Sequence, residues 1–240
     1  MLITCLYRNF TPQKKIKIMS GLIKSSIARK VVMALSGLFL VLFLGQHFTI
    51  NITSVIAPDT FNSWSHFMGY NPLVQYVLQP ILIAGVLVHF IMGIVLEIQN
   101  NRARAISYAK YNGGANASWI SRNMIITGLV VLAFLGLHFY DFWVHEMAYK
   151  YIESNPEDPT RYYAETVEKF EPIWRTVIYV IAFGLLALHL LHGFSSSFQT
   201  MGVNNKYTPA IKTFTKIYAI AIPAGFALIA IYHHLNPITH

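Results

Sequence analysis

Residues Ile173–Ser197 read IWRTVIYVIAFGLLALHLLHGFSSS. A helix across a bilayer needs roughly 20 apolar residues, and this run supplies them, yet it closes on two histidines, a glycine and three serines. Outward from it, the 240-residue chain offers four more such stretches, at Val31–Ile50, Leu73–Leu96, Met124–Val144 and Phe214–Leu235. With 55% hydrophobic and 12% charged residues, the composition excludes disorder and argues against an ordinary soluble domain. The expected fold is all-α: an integral membrane protein of five transmembrane helices over residues 31–235. Pro72 and Pro172 stand just before the second and fourth spans, where a missing N–H costs nothing. Pro80 and Pro223 fall inside spans, which membrane helices tolerate when local adjustments re-satisfy the freed carbonyl.

The net charge of +8 is sorted by side, which favours a membrane topology over nucleic-acid binding. Residues 1–30 carry Arg8, Lys14, Lys15, Lys17, Lys24, Arg29 and Lys30 and no acid. Arg102, Arg104, Lys110 and Arg122 follow the second span, and Lys206 and Lys212 follow the fourth. The opposite side holds Asp59 and an acidic outer loop, residues 145–171, with Glu146, Glu153, Glu157, Asp158, Glu165, Glu168 and Glu171. The positive-inside rule then places the basic N-terminal segment in the cytoplasm and the C-terminus outside. No cleaved leader is expected, Met19 is an alternative start, and the single Cys5 excludes an intramolecular disulfide or a cysteine-based metal framework. No internal repeat is read.

Ten histidines are present, and four of them stand at matching depth along four spans: His47, His89, His138 and His189. Alternate helices run in opposite directions, so His47 and His138 fall toward the outer face and His89 and His189 toward the cytoplasmic face. A rise of about 1.5 Å per residue separates the two pairs by something on the order of 10–20 Å. Ionisable groups in a membrane are costly enough to be functional by default. Two imidazoles facing each other across a helical bundle suit the two faces of a haem iron, so the first four helices are expected to form a haem-binding bundle. Gly85, His89 and Gly93 share one face of the second span, and His189, Gly193 and Ser197 repeat that pattern on the fourth. Gly93 and Gly193 would let the porphyrin lie against backbone. His189 is preferred over His192 as ligand because it has both the glycine four residues on and the matching depth. His192 becomes a neighbour of the cofactor, and Ser195, Ser196 and Ser197 are expected to bond back to the helix.

The stretches ALSGLFLVLFLGQHF, HFIMGI, GLHFYDFW and HLLHGFSSSFQTMG resemble the five-helix, dihaem cytochrome b subunit of succinate:quinone oxidoreductases, over residues 20–235. The resemblance implies two haem b groups, ligated by His47 with His138 and by His89 with His189. It also implies an electron conduit, in either direction, between a partner iron–sulfur subunit and menaquinone in a bacterial inner membrane. Ser26 and Arg29 are the nearest matches to a proximal quinone site, although Ala28 replaces the histidine usual before that arginine. Asp59, Trp64, His66, Asn71, Asp141 and His145 are the candidates near the outer haem. FAD and iron–sulfur clusters are expected only in partner flavoprotein and iron–sulfur subunits docked on the cytoplasmic face, because this chain has no dinucleotide fold and one cysteine.

Other readings compete. The cytochrome b of respiratory nitrate reductases takes its four ligands from two helices, whereas four helices supply them here, and His233 and His234 are read as interfacial. A multi-span transporter with an intramembrane histidine proton relay would explain the polar groups without a cofactor. An intramembrane metalloprotease would need a cluster such as His-Glu-x-x-His, which is missing from the sequence.

Overall fold

The computed structural model describes residues 25–102 and 123–238. The expected basic residues at 1–24 and 103–122 lie outside them. Among the described residues the regular structure is all helix, with no strand.

Helix α1 is Ser26–Ile56, and the Ser25 side chain at its start accepts from the Ala28 N–H. It is followed by α2, Pro58–Tyr70, with Pro58 in its first turn, where no N–H is needed. The Asn71 side chain accepts from the N–H groups of Leu73 and Val74 at 3.0 and 3.3 Å and restarts the chain. A π-helical turn, Val74–Leu78, then runs into α3, Gln79–Arg102. The wider turn immediately precedes Pro80, where a local change of pitch accommodates the missing donor.

Helix α4 is Met124–His138, and it continues through π-helical segments Phe139–Val144 and Ala148–Ile152. Two further helices, α5 (Arg161–Phe170) and α6 (Ile173–Thr200), meet at Pro172. Gly202 adopts a left-handed φ of 78° after α6, so that its N–H reaches Gln199 O and the Val203 N–H reaches Phe198 O. The last helix, α7, is Thr208–Leu235, with Pro209 in its first turn.

Among the described residues, five helical stretches are long and apolar enough to cross a membrane: Ser26–Ile56, Val74–Arg102, Met124–Ile152, Ile173–Thr200 and Thr208–Leu235. Each exceeds its sequence-based estimate, and hydroxyl side chains near the end of the first span bond back to their own helix. Thr49, Thr53 and Ser54, for instance, donate to Gly45 O, Ile50 O and Asn51 O on α1. Large apolar side chains such as Leu42, Leu87, Ile181 and Leu228 point outward, as a lipid-facing surface requires.

Helix α1 packs against α3, α6 and α7, and α4 closes the arrangement against α6. One buried cluster joins Phe170, Tyr179, Phe183, Phe226, Ile229 and Ala230 near one end; a second joins Val41, Leu190, Phe194 and Ala219. The first end is roofed by α2 and α5 and is called the capped end below. The expected acidic loop at 145–171 is thus largely ordered helix: its first part extends the third span to Ile152, and the amphipathic α5 lays Val167 and Phe170 onto the core.

Candidate functional site: two histidine pairs

The structure brings His47 of α1 onto His138 of α4, with ring centres 5.7 Å apart and planes at 83°. It brings His89 of α3 onto His189 of α6 at 6.4 Å and 78°. The first is the cap-side pair and the second the far pair. His192, one turn beyond His189, is half-buried, and the contact to His89 is made by His189.

The far pair is held by polar contacts. Ser36 Oγ lies 3.2 Å from His89 Nδ1, and Thr127 Oγ1 lies 3.3 Å from His189 Nδ1. A Cβ at Gly37 would stand 3.2 Å from His89 Cε1, and one at Gly128 would stand 3.4 Å from His189 Cε1. Gly93 and Gly193 face the methyl ends of Met33 and Met124. Ser197 donates back to Gly193 O at 2.9 Å, as expected of a serine in a membrane helix.

The cap-side pair lies among aromatics. Phe43 stacks on His47 at 5.4 Å, Phe226 lies 5.6 Å from it, and Phe134, Phe142 and Tyr179 lie 5.9, 5.1 and 6.3 Å from His138. The His138 Nδ1 is buried without a hydrogen-bond partner. A π-helical turn begins directly after His138, a departure from α-geometry common at functional sites. It carries Asp141, 1% exposed, which accepts from Tyr179 Oη at 2.9 Å and pairs with Arg175 at 3.3 Å.

The other sequence candidates separate. Trp64 lines a cleft of about 380 Å³ with Gln46, Thr49, Ile50, Phe67 and Met68, beside His47 in sequence. His66 instead pairs with Glu157 at 2.7 Å and stacks on Tyr70, and Asn71 is spent on its helix start. Asp59 sits in the first turn of α2, and His145 lies 3.7 Å from Glu165. Ser26 and Arg29 stand at the start of α1, near a second cleft of about 380 Å³ lined by Ile27, Lys30, Val31, Ser196, Gln199 and Thr200.

His233, expected at the interface, sits in the last turn of α7 and is enclosed there by protein. It is fully buried, bonded to Ser54 Oγ at 2.8 Å and surrounded by Tyr163, Phe170 and Tyr232, because α5 roofs the end of α7. His234 faces the Phe170 and Glu171 carbonyls at 3.1 and 3.0 Å.

The roof is tied by charge. Arg161 bonds both oxygens of Glu165 at 2.7 and 2.8 Å, reaches Glu146, and lies over Tyr149 and Tyr162. Lys150 pairs with Glu146 at 2.6 Å. Burial opposes the Arg161 charge, but the bonds to Glu165 and Glu146 outweigh it and hold the guanidinium above its ordinary value. Burial, with Glu146 adding to it, pushes the Tyr162 phenol up.

The donor set can be tested against haem. With metal–nitrogen bonds of about 2 Å and about 1 Å from ring nitrogen to ring centre, a metal between two imidazoles separates their centres by about 6 Å. The observed 5.7 and 6.4 Å fit. Small residues lie beside the rings of the far pair, and the carboxylate, phenol and guanidinium of Asp141, Tyr179 and Arg175 stand beside the cap-side pair.

Two features escaped the sequence reading. Arg175 needs its partner from another span to acquire meaning. The repeat, by contrast, was open to inspection: Met33–Phe48 reads MALSGLFLVLFLGQHF and Met124–Phe139 reads MIITGLVVLAFLGLHF. Met, Gly, Leu, Phe, Leu, Gly, His and Phe recur at corresponding places, and a hydroxyl residue precedes the first glycine in both. This corrects the reading that no internal repeat exists.

Among the described residues the chain is therefore all-helical, with five helices long and apolar enough to cross a membrane and two histidine pairs drawn from four of them. Comparison with protein-family models, with curated proteins and with solved structures gives no match.

Proposed function

We propose that the protein is the membrane-anchor cytochrome b subunit of a succinate:quinone oxidoreductase, multi-pass in a bacterial inner membrane. His47 with His138 and His89 with His189 would be the axial ligands of two b haems. The single observation that carries this reading is that four helices, not two, each deliver one histidine to one of two ring pairs spaced for a metal between them. When bound, haem supplies one-electron chemistry at iron whose potential is set by its ligands and surroundings.

The chain's own residues would do the rest. Four helices hold the imidazoles and exclude water from both pairs. The cleft at Trp64 is apolar and of a size suited to a small ligand, and it is the favoured place for menaquinone to meet the cap-side haem. Asp141, Arg175 and Tyr179 can hold and orient a proton beside His138. Flavin and iron–sulfur chemistry belongs to partner subunits on the cytoplasmic side, where the basic segments of the sequence fall, and the capped end faces outward.

The test is the pyridine haemochrome content and the reduced-minus-oxidised spectrum of the complex purified intact. Two b haems per chain are expected. None in an intact preparation would overturn the reading and leave the histidine proton relay of a transporter in its place.

A further inference from the structure

The two repeated stretches place a hydroxyl–glycine pair eleven residues before each cap-side histidine: Ser36-Gly37 before His47, and Thr127-Gly128 before His138. Eleven residues are close to three full turns, so each pair shares a face with its histidine about 16 Å away along the axis. Each histidine-bearing helix of the cap-side pair therefore also reaches the far pair, with different residues.

We infer that Ser36-Gly37 and Thr127-Gly128 are positioning cradles that fix the ring orientation and tautomer of His89 and His189, leaving Nε2 of each free to bind a metal. This rests on the haem reading above.

The argument turns on one hydrogen. Ser36 Oγ donates to Met33 O at 3.0 Å, and Thr127 Oγ1 donates to Met124 O at 2.9 Å. A hydroxyl has a single hydrogen to give and lone pairs to spare. The Met33 and Met124 carbonyls also face the rings of His89 and His189 and can only accept, so a proton on Nδ1 suits both neighbours. With the hydroxyl hydrogen on the carbonyl, the contacts of 3.2 and 3.3 Å run from Nδ1–H to the hydroxyl oxygen. A proton on Nδ1 leaves Nε2 as the lone-pair nitrogen. Such a bond fixes the tautomer of a metal-binding histidine and raises its basicity.

The glycines complete the seat. A Cβ at Gly37 would press on the ring that Ser36 holds, and one at Gly128 would fill the contact distance to the ring that Thr127 holds. The cap-side pair has nothing equivalent: the Asn51 amide nitrogen is 3.3 Å from His47 Nδ1 while bonded to His47 O at 2.8 Å, and His138 Nδ1 has no partner.

The experiment is a redox titration of both haems in the purified complex, with haem content measured in parallel, for Thr127→Val, Ser36→Ala and the conservative variants Thr127→Ser and Ser36→Thr. Loss of the hydroxyl weakens ligand basicity and destabilises the ferric state. The far haem's midpoint potential is expected to rise and its retention to fall by about 10–100-fold, the cap-side haem to stay put, and the conservative variants to restore both properties. Gly37→Ala is expected to disturb the far haem's ferric electron paramagnetic resonance signal alone. Two haems in the wild type with unmoved potentials in Thr127→Val and Ser36→Ala would overturn the cradle and leave the haem reading standing. Equal shifts of both haems would also overturn it, as a general structural effect. No haem in the wild type would overturn both readings.

Discussion

At the far pair, each ring is met by a hydroxyl and a glycine, both small and uncharged. At the capped end, five aromatic rings crowd the two histidines, and a buried carboxylate, a guanidinium and a salt-bridged roof stand over them. The far pair is thus oriented by hydrogen bonds from within the bundle, whereas the cap-side pair is oriented by packing, backed by charges at the membrane boundary. The roof of α2 and α5 brings charged, mutually paired side chains to the cap-side end, while the far pair is held by uncharged groups of the bundle itself.

The strongest way to break the comparison is to remove one histidine. His189→Ala is expected to cut haem from two per chain to one while leaving the cap-side haem's spectrum intact, and His138→Ala to do the reverse; His192→Ala keeps both. Loss of both haems from either variant would mean that the two halves form a single unit. Next in size, Arg161→Ala leaves Glu146 to Lys150 alone and takes the guanidinium from Glu165, and is expected to cost about 1–3 kcal/mol. In thermal inactivation of the purified complex, the cap-side haem band would bleach first while the far haem persists.

Tyr179→Phe removes one donor from the buried Asp141 and is expected to cost about 1–3 kcal/mol. Only the cap-side haem's potential should move, because Tyr179 touches His138 and neither far-pair ring. The smallest effect is alkaline. The folded cap keeps the Tyr162 phenol neutral above its ordinary value of 10.0, through burial and then Glu146. Its contribution is therefore present below about pH 10 and is lost as pH rises beyond it, since the unfolded chain ionises first. Tyr162→Phe should flatten the stability loss above pH 10, measured as the midpoint of cap-side haem release against pH.

Much of the frame was legible. Five apolar runs gave the five helices, and equal depth on antiparallel spans was enough to pair His47 with His138 and His89 with His189 in space. What stayed hidden depended on a second helix. Ser36 and Thr127 look like ordinary serine and threonine of a membrane helix, and each does bond back to its own backbone; the approach of a ring on another span gives the oxygen its further role. That α5 covers His233, at the end of an apolar run, shows only in the fold. The π-helical turns after His138 contain no proline or glycine, so residue type gives no sign of them.

The eleven-residue interval makes α1 and α4 gauges as well as supports. Inserting one residue between Ser36 and His47 would turn one site relative to the other by about 100° and lengthen the span by about 1.5 Å. Four inserted residues would restore most of the facing but open the distance by about 6 Å. Side chains in these intervals can drift widely in identity so long as they stay apolar, but the number of residues cannot change. A gene encoding this chain should therefore accept many substitutions and almost no insertions or deletions between the two sites.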